Sequence, residues 1–429
     1  MIRRLVILAL LVGGAVLLEP LRAPTEGVIA PRSLFLFGIL LLTADTFGAL
    51  THDARLPRLV GYLLAGVALG PSVTGIVPHA VLDDLGMMKQ LAVGLIGLLA
   101  GAELRLADLR LRRRAIAWIL ALQVGAVLVV VWTVVLATHR WVPFLVSLDL
   151  LPLLLVALLF AATLTVNSPM VTLAMLTETG ARGPVALTTL GVVLVADVVV
   201  ILLFTVSFAL AQASLGGGAP GSAVLLQLLR GVFGSICAGL LIGGIVSLYL
   251  GFVRHELVVF AVVTVFATAA AAEALHFELL LSLLVAGFFV ENIAPVRAEP
   301  LVDTLHHMAV PVFVIFFAMA GAQLELRAFA SVWPLILVVA LARMAAIRWG
   351  ARVGARYGGA EPAVQREVWT GLVSQAGVAL GLASIVAQRL PGIGVAMQAL
   401  IVGVIAVNES FGPVLFRRGL TRAGEVVAP

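Results

Sequence analysis

The chain has 429 residues, of which 62% are hydrophobic and only 11% charged, with a formal charge of +5. Soluble domains carry about 25% charged residues, so this composition excludes a water-soluble protein of this size and requires a polytopic membrane protein. The positive charge comes almost wholly from arginines in short loops between apolar runs, which reports membrane topology and not nucleic-acid binding.

Taken from the start, residues 1–32 open with Arg3 and Arg4 and continue as an apolar run. Glu19-Pro20-Leu21-Arg22 is a poor small-residue cleavage site, so the segment reads as a retained, extra first helix and not as a signal peptide. Beyond it, charged and Gly/Pro-rich breaks divide the chain into about fourteen spans in all, centred near residues 12, 42, 65, 94, 126, 163, 197, 238, 264, 285, 312, 340, 377 and 405, each able to supply roughly 20 residues. Arginine alternates from gap to gap. One set holds Arg55 and Arg58, the Arg105 to Arg114 cluster, Arg182, Arg254, Arg297, then Arg348, Arg352, Arg356 and Arg366, and the tail Arg417, Arg418 and Arg422. The other set, with Asp83, Asp84, Lys89, Asp149, Glu273, Glu278, Glu325, Arg327 and Arg389, has little net positive charge. The positive-inside rule then places both termini in the cytoplasm, with a short tail at 421–429.

A longer pattern overlies the spans. With 213–255 as a linker helix, the segments 33–212 and 256–420 form two sets of six spans in opposite orientation, the inverted-repeat plan of many secondary transporters. The fifth span of the first set is broken at Thr163-Leu164-Thr165-Val166-Asn167-Ser168-Pro169, and the fifth of the second, Gly371 to Val386, at Ser374-Gln375-Ala376-Gly377. Corresponding interruptions in two halves point to a binding site. Pro169 lacks an amide hydrogen and clashes with the carbonyl four residues back, which frees backbone oxygens around Thr165. The next span carries Asp197 between Val195 and Val198, a lone carboxylate at membrane depth. Such a group costs about 2.5–3.5 kcal/mol on insertion scales and is kept where it faces a cavity, a partner or an ion path.

The other polar residues in apolar surroundings carry less. Asp45, close to His52 and Asp53, fits a water-exposed mouth as well as a site. Glu103 reads as interfacial beside the arginine cluster, Glu273 and Glu278 as loop residues on the other side, and Asn408-Glu409 as a core-facing structural pair. His306 and His307, next to Asp303, read as a solvated helix face and not as a pH sensor. Thr165, Asn167 and Ser168 could be ordinary packing residues, but Pro169 beside them favours a site. Cys237 is alone, which excludes a disulfide framework or cysteine-based metal site within the chain. With no catalytic metal spacing, phosphate loop or Ser-His-Asp set, the sequence offers nothing for an enzyme or for a cofactor.

Leu56-Pro57-Arg58-Leu59-Val60-Gly61-Tyr62-Leu63-Leu64-Ala65-Gly66, Gly70-Pro71 and Leu98-Leu99-Ala100-Gly101-Ala102-Glu103-Leu104 resemble helix signatures of the monovalent cation:proton antiporter superfamily, on the branch of bacterial sodium/proton antiporters and potassium efflux systems. The resemblance covers roughly residues 33–420. It implies an all-α fold and a core of spans five to seven and twelve to fourteen that moves against a scaffold formed by the others. It further implies a homodimer in the cell inner membrane, in contact with lipid, and exchange of Na+ or K+ for H+. Asp197 falls where the family has its essential aspartate, and Asn167, Ser168 and Thr165 where it has its helix break. Two departures stand out. The residue before the aspartate is Ala196, which can neither carry a proton nor ligate an ion. The family's basic residue on the corresponding helix, often a lysine paired with the aspartate, is matched by Arg343, which stays protonated and cannot carry protons. The expectation is therefore an electroneutral antiporter in which a monovalent cation and a proton compete for Asp197, with Thr165, Asn167 and Ser168 completing the shell. Arg343, Pro169, Ser374 and Gln375 support that site. The alternatives are a potassium efflux path resembling a channel and a non-transporting membrane sensor or scaffold.

Overall fold

The computed structural model describes residues 31–54, 56–215, 221–253, 255–275, 277–324, 332–375, 377–390 and 392–426. The expected first span, the loop residues Arg55, Arg254, Glu325 and Arg327, and Ala376 of the second break lie outside them. Among the described residues every regular element is helical. In chain order the main helices are α1 (Pro31–Asp53), α2 (Arg58–Leu69), α3 (Gly86–Glu103), α4 (Leu106–Thr138), α5 (Leu150–Thr163), α6 (Pro169–Thr179), α7 (Pro184–Ser214), α8 (Gly221–Phe252), α9 (Leu257–Leu275), α10 (Leu279–Asn292), α11 (Glu299–Ala322), α12 (Trp333–Tyr357), α13 (Pro362–Gly371), α14 (Gly377–Arg389) and α15 (Gly394–Ala423).

A helix covers each expected span centre from 42 to 405, and both expected interruptions are real: α5 and α6 are halves of one span, α13 and α14 of another. Among the described residues, eight helices are long and apolar enough to cross a membrane; α2, α5 and α10 are shorter apolar helices. Helices are the fold such a sequence must adopt, because in hydrocarbon every backbone polar group has to be satisfied within its own segment.

The chain divides into two compact units. One comprises Met1–Leu104 and Ser235–Arg327, the other Arg105–Gly234 and Ala328–Pro429. The second unit thus holds α4 to α7 and α12 to α15, the spans numbered five to seven and twelve to fourteen.

In the first unit, packing is backbone on backbone. A Cβ on Gly66 of α2 would strike the Ala318 carbonyl of α11, and one on Gly321 the Leu63 carbonyl; Gly101 of α3 and Gly287 of α10 face the carbonyls of Leu284 and Leu98 in the same way. Small residues permit this approach, which is how membrane helices associate when lipid is as apolar as their own side chains. Polar groups tie the helix ends: Ser33 Oγ donates to Asp84 at 2.6 Å, Lys89 Nζ to Gln323 Oε1 at 2.7 Å, and Glu278 caps α10 by accepting from the Leu281 amide. His306 and Glu103 pair at 2.8 Å, side chains about a quarter to a third exposed. The sequence had assigned His306 to a solvated face and Glu103 to the arginine-rich boundary. His307, exposed, bonds to the Asp303 carbonyl.

The second unit uses the same device once at length. Gly350 and Gly354 of α12 and Gly358 just past its end form a stripe, and a Cβ on any of them would lie 2.5 Å from backbone atoms of Leu122, Trp118 or Ala115 on α4. Elsewhere the unit differs, because its interior is polar. The amino end of α7 shows how far its local chemistry is settled from a distance. Pro184 occupies the first position, and the carboxylate of Glu425 accepts from the amides of Val185 and Ala186 at 2.7 and 2.9 Å. A carboxylate there satisfies orphan amides and the positive end of the helix dipole.

Candidate functional site

The first break follows from three residues. α5 stops at Thr163, with the Leu164 amide still bonded back to Phe160 and Ala161. Ser168 is extended (φ −108°, ψ 107°), the region that a following proline imposes. Its Oγ accepts from the Val171 amide at 3.2 Å and so caps α6, while Pro169 occupies the first helical position, where a missing amide costs nothing. Residues 164–168 are left unwound and fully buried, and their carbonyls need donors. In the second break α13 ends at Gly371 and α14 begins at Gly377. The Val373 carbonyl is orphaned in the same way.

One side chain answers both. Arg343, on α12, is completely buried and donates from Nε to the Leu164 carbonyl (2.7 Å), from Nη2 to the Val166 carbonyl (2.8 Å) and from Nη1 to the Val373 carbonyl (2.7 Å). Its planar fork suits acceptors that diverge from two segments. The placement is also favourable electrostatically. Leu164 and Val166 follow the carboxyl end of α5, and Val373 follows that of α13, so the guanidinium sits at the negative ends of two half-helices. Membrane transporters coordinate cations with unwound carbonyls and half-helix carboxyl ends; here the protein supplies its own cation. The resemblance implied a partnership between Arg343 and Asp197. The structure gives all three of its hydrogen bonds to main-chain oxygen instead, because two interrupted helices leave carbonyls unsatisfied where this side chain can reach.

The remaining predicted residues lie in the two breaks and on α7. Thr165 Oγ1 donates to the Ala162 carbonyl at 2.7 Å. Asn167 lies 3.5 Å from Gln123 of α4, amide to amide. Gln375 Nε2 donates to the Leu164 carbonyl at 3.3 Å and its Oε1 accepts from Asn408 of α15 at 2.9 Å. Ser374 is buried under Gly412 of α15, where no Cβ could fit. Asp197 is half-buried near the middle of α7, a helix that packs on α4, α5 and α13. Ala196 before it is fully buried.

Two participants were not marked as site residues from sequence. Gln123 is a single amide in a long apolar helix, and nothing in its spacing sets it apart. Asn408 was read as structural; its bond to Gln375 makes it part of the second break. Glu409 beside it is also buried. Among the described residues no three His, Cys, Asp or Glu side chains are grouped so as to hold a metal ion. The arrangement is therefore a buried set of amides, hydroxyls and carbonyls organised by one fixed positive charge, in the same unit as one half-buried carboxylate.

The family comparison decides the class. The sequence matches the family described as sodium/hydrogen exchanger, transmembrane, over residues 36–417. The chain belongs to that family. The exchanger is thus a multi-pass membrane transporter of the cation/proton antiporter class. Its fold is shared with two solved structures of the sodium/proton antiporter MjNhaP1 from Methanocaldococcus jannaschii. One, at pH 8, is 16% identical with a TM-score of 0.65, covering 91% of this chain and 96% of that one. The other, from electron microscopy, is 14% identical with a TM-score of 0.69, covering 92% and 99%. No curated protein sequence matches the exchanger significantly.

Proposed function

We propose that this exchanger moves sodium or potassium against protons in an electroneutral cycle in which the cation and the proton compete for Asp197. The observation that carries this reading is a half-buried carboxylate in a unit whose buried positive charge is already committed. With Leu164, Val166 and Val373 facing Arg343, those carbonyls already serve a positive charge and are poor ligands for a second cation. The transported ion must take its oxygen from Asp197 and from side chains such as Asn167 and Thr165, oxygen donors that suit hard monovalent ions. Ala196 offers no second titratable group, so one proton leaves as one cation binds and no net charge moves. Arg343 stays charged throughout and acts as a fixed positive charge that exchanges no proton.

In this proposal the unit of α4 to α7 and α12 to α15 carries the site from one side of the membrane to the other, the remaining helices forming a dimeric scaffold in a bacterial-type inner membrane with both termini cytoplasmic. Competition at one carboxylate is sufficient for coupling, since the carrier then bears the same charge whether it is loaded with the cation or with the proton.

The test is proton flux in proteoliposomes loaded with a pH-reporting dye and pulsed in turn with sodium, potassium and lithium, for the wild type and Asp197→Asn. The wild type should move protons on a pulse of its substrate ion, and Asp197→Asn should reduce that flux to the level of empty vesicles while unfolding at nearly the wild-type temperature. Equal flux in the two proteins would remove Asp197 from the mechanism.

A further inference from the structure

Away from the breaks, the second unit contains a groove of about 720 Å³ between α12 and α13. Arg348, Arg352 and Arg356 line it at four-residue intervals, hence on one stripe of α12, and Arg366 joins them from α13, with Trp349 and Gln365 completing the wall. Like charges four apart on a helix repel one another. Carboxylates usually relieve such a row, and here they are engaged elsewhere: Glu361 with Arg112 at 3.3 Å, Glu367 with Arg422 at 3.9 Å. Among the described residues no ion pair joins a carboxylate to any of the four groove arginines. Arg352 reaches only the Arg366 carbonyl, at 3.5 Å, and its buried Nε has no hydrogen-bond partner. Arg348 is held over the Trp369 ring at 5.3 Å. The groove is thus a positioned, uncompensated cationic surface.

We propose that this groove binds the phosphate of an anionic phospholipid headgroup. Guanidinium forks match phosphate oxygens two at a time, and the volume is that of a small-ligand site. The arginine alternation along the chain places these residues on the cytoplasmic side, where basic pockets between membrane helices meet anionic headgroups. Trp349 and Tyr357, 61% and 63% exposed, flank the row, as aromatic side chains do at the level of the headgroups. The site is independent of the exchange reaction and of Asp197.

The experiment is thermal unfolding of the full-length protein in uncharged detergent, titrated with phosphatidylglycerol, phosphatidylcholine or inorganic phosphate. It is run on the wild type, Arg352→Gln/Arg356→Gln, and Arg352→Lys/Arg356→Lys. Phosphatidylglycerol should raise the wild-type unfolding temperature saturably, and the other two additives should not. Each glutamine should raise the half-saturating lipid concentration roughly fivefold, the equivalent of about 1 kcal/mol per basic residue at an anionic surface, and the lysine pair, which keeps the charge but not the fork, should fall between the two. Retention of phosphatidylglycerol by the wild type in native mass spectrometry, and its loss at raised ionic strength, tests the site even if the glutamine pair does not fold. Equal shifts with phosphatidylcholine, or a folded glutamine pair that responds as the wild type does, would overturn the proposal. A shift with inorganic phosphate and none with lipid would overturn it in favour of a soluble phosphate compound.

Discussion

The two helix breaks meet at Arg343 but are built by different means. The first is encoded locally. Ser168 caps the outgoing half-helix, Pro169 sets its first turn, and the hydroxyls of Thr163 and Thr165 bond to carbonyls within three or four residues. The second has no proline and no capping hydroxyl among its described residues. Its Gln375 is held from two other segments, by Asn408 of α15 and by the Leu164 carbonyl of the first break. The turns of the first break are set within its own segment and only its carbonyls need an outside donor, whereas the second inherits every weakness of its neighbours.

Substitutions can probe that contrast. The largest effect is expected from Arg343→Leu, which removes the donor of three buried carbonyls in both breaks at once. An unsatisfied buried group costs about 1–3 kcal/mol, so the sum approaches the whole stability of a typical domain, and size-exclusion profiles and unfolding in detergent should show little native protein. Arg343→Lys keeps the charge but not the fork and should fall between the two; a lysine variant as stable as the wild type would show that charge alone holds the breaks open. Asn408→Ala should cost about 1–3 kcal/mol by releasing Gln375, and in a cycle with Gln375→Ala the two losses should not add. Ser168→Ala should be smallest, about 1 kcal/mol for a lost cap, and should add to Asn408→Ala within about 0.5 kcal/mol, as independent sites do. A larger coupling between Ser168 and Asn408 would mean that the first break is not locally encoded after all.

The same contrast governs what could be read from the sequence. The first break was legible because proline and a capping serine act within their own turn; Asp197 is singled out, and proposed as the site, because a carboxylate in hydrocarbon has few innocent explanations. Helix positions were legible from apolar runs and arginine-bearing gaps. The partners of Arg343 were not, since they are main-chain carbonyls, which every residue possesses and no side chain announces. Gln123 and Asn408 were obscure for a related reason: each matters through a residue far away in the chain, and an isolated amide in an apolar helix has no periodicity. His306 with Glu103 is a third such pairing, between residues far apart in the chain.

The bond between Arg343 and Leu164 links residues 179 apart in the chain. At roughly 5–20 residues per second, a ribosome needs about 9 to 36 seconds to make the arginine after the break that depends on it. During that interval α5 and α6 exist without the charge that completes them, and the gap between them must be served by water, by the earlier-made Gln123, or by the insertion machinery itself. The nascent exchanger therefore has a long vulnerable stage. Its correct assembly is decided only when α12 arrives.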